Sequence, residues 1–132
     1  MKIGELAAAT RTKVETVRYY EKIALLPPPA RTAGNYRSYG DGHLARLSFI
    51  RRARDLGFSL EGVRDLLTLA DDESRSREAV DGVARTHLAA IDRKIAELAA
   101  LRAELDRVIR SSGYGAVADC KIIETLGPRR DA

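Results

Sequence analysis

Apolar positions in the first seventy residues fall into short clusters, each ended by residues that stop or turn a chain. Ile3-Gly4-Glu5-Leu6-Ala7-Ala8-Ala9 is apolar on one side and stops near Thr10-Arg11, which predicts a first helix. Thr12 and Glu15 have the spacing of a capping box. They open a predicted second helix that carries Val14, Val17 and Glu21 on related faces and runs to about Leu25, before Pro27-Pro28-Pro29. Two short helices joined by a tight turn are the core of a helix-turn-helix. Gly34-Asn35 is a turn pair flanked by Tyr36 and Tyr39, which favour extended backbone, so residues 30–40 are expected to form a small hairpin, a wing. Asp41 is placed to cap a third helix bearing Leu44, Leu47, Phe49, Ile50, Ala53 and Leu56, which Gly57 ends. Ser59 is placed to cap a fourth with Val63, Leu66 and Leu67.

The second half has a different period. Asp71-Asp72-Glu73-Ser74 is polar and reads as a hinge. Neither Gly nor Pro occurs between Gly82 and Gly113, a stretch of about 45 Å as a helix. Ala84, Leu88, Ile91, Ile95, Leu98, Leu105 and Ile109 recur there in steps of four and three, broken by Arg102. That is a coiled-coil seam, and an antiparallel pairing of two chains would bury it. The competing reading is a helix packed on its own domain. Ser111-Ser112-Gly113-Tyr114-Gly115 reads as a loop, and Asp119 to Leu126 as a short closing helix with Ile122, Ile123 and Leu126 apolar. The expected fold class is all-α, with a β-hairpin wing in a helix-turn-helix head.

Composition sharpens this. Only 5% of the 132 residues are aromatic, none is Trp, and 32% are charged. That leaves little for one large core and suits a helical chain that completes its core by pairing with a second copy. Residues 1–70 hold twelve Lys and Arg against seven Asp and Glu, whereas residues 71–132 hold eleven against twelve. The positive excess therefore lies wholly in the first half, as a nucleic-acid-binding head would have it, although many solvated surfaces are as basic. No run of about 18 apolar residues exists to span a membrane. Met1 to Leu6 lacks the apolar stretch of a secretory signal. The single cysteine, Cys120, excludes an internal disulfide framework. The expected location is the cytoplasm.

Candidate contacts to DNA follow from where basic and aromatic residues interleave. Lys13, Thr16, Arg18, Tyr19 and Tyr20 lie on or beside the second helix, whose polar face would enter a major groove. Arg31, Asn35, Tyr36 and Arg37 lie on the hairpin, placed to clasp the adjoining backbone. One of Tyr19 and Tyr20 can equally belong to the core, and Arg51, Arg52 and Arg54 can equally be a solvated face. An enzyme is not expected. His43 and His87 sit on separate helical stretches, with no nucleophile triad, paired-carboxylate or phosphate-loop pattern beside them. A coiled-coil adaptor that only recruits partners is the remaining rival, and the basic hairpin argues against it.

Three blocks carry a resemblance. They are Ile3-Gly4-Glu5-Leu6-Ala7 with Thr16-Val17-Arg18-Tyr19-Tyr20-Glu21 and Leu25-Leu26; Gly34-Asn35-Tyr36-Arg37-Ser38-Tyr39; and Arg46-Leu47 with Phe49 through Leu60. Together they resemble the head of the MerR family of regulators. The resemblance implies residues 1–70 as a winged helix-turn-helix, 71–75 as hinge, 76–111 as dimerisation helix, 112–127 as effector loop and short helix, and 128–132 as a flexible tail. It also implies a homodimer on a pseudo-palindrome within a promoter spacer too long for RNA polymerase. The polymerase is reached through that shared promoter DNA, and an effector makes the dimer distort the spacer. The chain departs from the family at Arg11-Thr12 and at Ala24, where the family prefers Gly-Val and Gly.

The tail, from Val117 to Leu126, resembles the metal-sensing branch around its second loop cysteine, matched by Cys120. Ser112 stands where the first loop cysteine belongs, and Arg77 where divalent-ion members add one. Arg77, Ser112 and Cys120 are thus the candidate effector residues, and a soft metal ion is the implied effector. A tight soft-metal site needs at least two thiolates, so weak or absent binding is expected. A positive charge at Arg77 would lower the pKa of Cys120, which makes oxidant or electrophile sensing the alternative. A silent buried thiol is the other.

Overall fold

The computed structural model describes residues 1–111 and 121–128. The chain divides into two compact units, Met1–Ser76 and Arg77–Ala132.

The first unit runs α1 (Ile3–Ala9), α2 (Val14–Lys22), β1 (Ala30–Arg31), β2 (Arg37–Ser38), α3 (Asp41–Asp55) and α4 (Leu60–Asp71). Its core takes Leu6 from α1, Val17 from α2, Leu25 and Leu26 from the following turn, Leu47 and Ile50 from α3, and Val63 and Leu67 from α4. Leu47 and Ile50 lie one turn apart and point the same way. Burying each such side chain contributes about 1.5–3 kcal/mol before chain entropy is counted. Tyr39, expected only to extend the wing, is 2% exposed and anchors the hairpin in this core.

The ends of the helices follow local hydrogen bonding. Ser59 caps α4 as expected, its Oγ accepting from the Gly62 amide at 3.0 Å. Thr12 does not cap α2. Its hydroxyl donates instead to the Thr10 carbonyl at 3.1 Å, inside the turn, and Lys13 takes the N-cap position without a side-chain bond. α2 stops at Lys22, short of Leu25, because Ala24 turns left-handed at φ 62°. Asp41 does not cap α3 but is its first residue. Gly40 is the N-cap, and its amide donates to Nδ1 of His43 at 3.2 Å. Gly57, at φ 96°, follows the end of α3 as expected.

The wing is antiparallel, with Ala30 opposite Ser38 and Arg31 opposite Arg37. Asn35 takes φ 64° at its tip, and its amide closes the turn onto the Thr32 carbonyl at 2.8 Å.

The second unit is α5 (Arg77–Arg110), 34 residues and so about 50 Å long, with α6 (Ile122–Thr125) packed on it. The closing helix is thus a single described turn, and its expected start at Asp119 lies outside the described residues. Ser112 and Cys120 lie outside them too. No residue of α5 is buried.

Candidate nucleic-acid interface

α2 has one face on the core and one in solvent, and the division decides between its two tyrosines. Tyr20 is half-buried and packs against the core cluster, while Tyr19 is 48% exposed beside exposed Arg18. Lys13 is exposed at the start of the helix and Thr16 is half-buried. On the wing, Arg31, Asn35, Tyr36 and Arg37 are all exposed, Tyr36 at 75%. Nη1 of Arg31 donates to the Asn35 carbonyl at 3.2 Å and braces the turn.

Between helix and wing lies an open cleft of about 370 Å³ lined by Arg18, Glu21, Lys22, Pro28, Pro29, Arg31 and Arg37. It brings together three of the expected contacts (Arg18, Arg31 and Arg37) and adds Lys22, which sequence reasoning missed. Lys13, Thr16, Tyr19, Tyr20, Asn35 and Tyr36 do not line it. Four cations around one cleft make it attractive to phosphate.

Glu21 is the acid in that cleft. Its Oε2 accepts from Nη1 of Arg37 at 3.1 Å, and its Oε1 accepts from the Tyr39 hydroxyl at 3.0 Å. The Arg37 guanidinium is held above its ordinary pKa, first by hydrogen bonding with Tyr39 and then by the charge of Glu21. The Tyr39 phenol is pushed up chiefly by burial. The sequence did hold a clue, since Glu21 is an isolated acid between Arg18 and Lys22.

Arginines from α3 and α4 cap the backbone that carries the interface. Nη1 of Arg51 donates to the Arg11 carbonyl, after α1. Nη2 of Arg64 donates to Ile23 O at 2.6 Å and Nε of Arg46 to Leu25 O at 2.8 Å, both after α2. Arg54 donates to Phe58 O at 2.8 Å. Arg51 and Arg54 are therefore structural braces, more than a solvated face. Nε2 of His43 lies 3.1 Å from Pro27 O, tying the start of α3 to the proline loop.

In the second unit the expected seam lies open. Ala84 is exposed, Leu88, Ile95, Leu98, Leu105 and Ile109 are each about half exposed or more, and Ile91 is half-buried. Arg77 pairs with Asp81 one turn along its own helix, at 3.2 Å. The Lys121 amide donates to Oε1 of Glu104 at 2.8 Å. Among the described residues no group of three or more His, Cys, Asp or Glu side chains could hold a metal ion. No helix among them is long and apolar enough to cross a membrane.

Comparison with known proteins agrees with this geometry. The family model described as MerR HTH family regulatory protein matches residues 1–69, and that described as MerR, DNA binding matches residues 44–108. The HTH-type transcriptional regulator HmrR of Sinorhizobium medicae is 42% identical over 126 residues, covering 96% of this chain and 86% of its own. The HTH-type transcriptional regulator ZntR of Escherichia coli K12 is 38% identical over 133 residues, covering 95% and 91%. Among solved structures, the transcription regulator PbrR691 of Ralstonia metallidurans CH34, in complex with lead(II), is 40% identical. It covers 96% of this chain and 99% of its own, with a TM-score of 0.57.

Proposed function

The chain belongs to the MerR family of helix-turn-helix transcription regulators, and we propose that it works as a homodimer on a pseudo-palindromic promoter spacer, distorting that DNA in response to an effector. The observation that carries the reading is the cleft in which Arg18, Lys22, Arg31 and Arg37 converge between α2 and the wing. The head, residues 1–70, would set α2 in the major groove and the wing on the flanking backbone, with Lys13, Thr16, Tyr19 and Tyr36 reaching beyond the cleft. Residues 71–75 act as hinge and 76–111 as the dimerisation helix. RNA polymerase is engaged through the shared promoter DNA. The test is fluorescence anisotropy on duplexes from the promoter beside its gene. Tight binding that Arg18→Ala weakens by about 1–3 kcal/mol is expected. Binding no tighter to that promoter than to arbitrary DNA would refute the reading.

PbrR691 is known with lead(II), which makes a soft metal ion the first effector to consider. The donor set here does not fit one. Each chain carries one thiol, Cys120, and Arg77, the position matched to another, offers a guanidinium paired with Asp81. A serine hydroxyl at 112 is a poor ligand for a soft ion. Residues 112–127 are therefore read as an effector segment that holds soft metals weakly and in which Cys120 answers oxidants or electrophiles. Stoichiometric tight uptake of lead(II) against a competing chelator would overturn this. So would a Cys120 alkylation midpoint at or above the ~8.5 of a free thiol.

A further inference from the structure

We propose that Glu21 acts as a stand-in for phosphate, holding Arg37 when DNA is absent and yielding it to a backbone phosphate when DNA arrives. The inference rests on the reading of the cleft as a DNA interface. Among the described residues lining that cleft, Glu21 alone is acidic, facing Arg18, Lys22, Arg31 and Arg37. A carboxylate presents two oxygens and one negative charge, the nearest protein equivalent of a phosphate's face toward a guanidinium.

The two bonds that Glu21 accepts differ in a way that decides which one breaks. Tyr39 donates from inside the core, where its ring is fixed. Arg37 donates from the exposed wing, with 44% of its side chain in solvent against 11% for Glu21. A partly exposed ion pair contributes little in water, so a competing anion can take the arginine while the tyrosine keeps the carboxylate in place. The guanidinium has five N–H donors, of which Nη1 is spent on Glu21 and Tyr39 engages the same side chain, so donors remain. It can meet a phosphate before it lets go. Because Glu21 sits in the last turn of α2 and Arg37 on β2, the pair also fixes the separation of recognition helix and wing before DNA binds. Glu21 is thus a positioning residue that sets how readily the cleft takes any DNA.

The experiment uses the full chain and a fluorescent duplex of arbitrary sequence, three helical turns long, with affinity measured at several salt concentrations. Glu21→Gln keeps the acceptor for Tyr39 and removes the charge that, beside the Tyr39 hydrogen bond, holds Arg37. It should tighten binding about threefold to tenfold and steepen the salt dependence by less than one released ion, about 0.9 in the logarithmic slope. That gain should vanish when Arg37→Gln is also present. An equal gain with and without Arg37 would make Glu21 a mere contributor to the overall field and overturn the exchange, as would no gain at all. The wild-type protein offers a second measurement that needs no variant to fold. The side-chain carboxylate carbon of Glu21 should shift on adding duplex, and an unmoved resonance under saturating DNA also overturns it. A wild-type chain that binds no duplex even at low salt would instead bring down the proposed function itself, a result distinct from these.

Discussion

Arg46 sets its guanidinium fork on Asp71, Nη1 to Oδ1 at 2.9 Å and Nη2 to Oδ2 at 2.7 Å. The same side chain donates through Nε to the Leu25 carbonyl at 2.8 Å, so one residue of α3 joins the end of α4 to the turn after α2. The two bonds should differ in weight. Asp71 is half exposed, and a screened pair of this kind contributes about 0–1 kcal/mol. Removing Arg46 also strips a charged donor from the Leu25 carbonyl, a further ~1.5–3 kcal/mol. Arg46→Ala is therefore expected to cost clearly more than Asp71→Asn in urea unfolding, and equal costs would show that the carbonyl bond contributes nothing. The pH dependence has a definite sign. Hydrogen bonding to Arg46 holds the Asp71 carboxyl below its ordinary value. Its contribution is present above the unfolded pKa of about 3.9 and lost as pH falls through the lower folded value. The gap between wild type and Asp71→Asn should close in acid, and a gap that widens there would contradict the pairing.

Ala24 and Arg11 occupy left-handed backbone, at φ 62° and 52°, where the Cβ of an L-residue meets the following carbonyl at a cost of about 1–2 kcal/mol. Glycine avoids that clash but loses more entropy on folding. Ala24→Gly should accordingly raise stability by a net amount of about 0.5–1 kcal/mol. Arg11→Gly should do the same without touching the bond that Arg51 makes to the Arg11 carbonyl. Thermal melts check both. Destabilisation by Ala24→Gly would mean that the methyl group packs usefully in the native turn.

These positions mark how far the sequence could be read. Periodicity placed all four head helices and the long helix, because apolar spacing is a local property that tertiary structure preserves here, and the Gly34-Asn35 turn pair placed the wing. Ser59 was legible as a cap because its hydroxyl meets the Gly62 amide three residues on, as local spacing predicts. Thr12 was misread because its hydroxyl is turned into the preceding turn, accepting from the Thr10 hydroxyl and donating to the Thr10 carbonyl, and two residues of turn geometry are invisible to a spacing rule. Ala24 and Arg11 could be seen to depart from a preferred glycine, but not what backbone they would have to adopt. Although Glu21 stands out as the acid between Arg18 and Lys22, the bond between Tyr39 and Glu21 was illegible for a third reason. Their partnership spans 18 positions and follows from how the wing folds back on α2, which no local pattern encodes. Arg18, Arg31 and Arg37 could be named as a set, while the bonds by which Glu21 joins Arg37 and Tyr39 could not.

The apolar stripe on α5 leads to a prediction about assembly. Leu88, Ile95, Leu98, Leu105 and Ile109 all stand in solvent within one chain, an arrangement that a second copy would relieve. Ile95→Asp places a charge at the middle of the stripe and should shift the protein to monomer in sedimentation equilibrium, with promoter affinity falling in parallel because a lone half-site binds weakly. Arg93→Asp, one helix face away, should leave both unchanged. A wild-type chain that sediments as a monomer at micromolar concentration would remove the basis for the dimer.

Glu104 supplies a last, quantitative test. It lies on α5 and receives two side-chain bonds from Arg107, at 2.7 and 3.1 Å, besides the backbone amide of Lys121. Hydrogen bonding from Arg107 first, and from the Lys121 amide second, lowers its pKa to about 2. A carboxylate whose folded pKa is depressed contributes above its unfolded value, near 4.3, and loses that contribution as pH falls toward about 2. The segment from Lys121 into α6 should therefore remain tethered to α5 at pH 4 and come free only in stronger acid. The carboxylate carbon of Glu104, followed by NMR, should titrate well below the range of an ordinary glutamate, and the Lys121 amide should lose protection over the same interval. Glu104→Gln keeps an oxygen for the amide but discards the ion pair with Arg107, so it should speed Lys121 exchange modestly, while Glu104→Ala should speed it more. A Glu104 midpoint near 4.3 would show that the carboxylate does not hold the tether, and unchanged Lys121 exchange in the alanine variant would show the same from the other side of the bond.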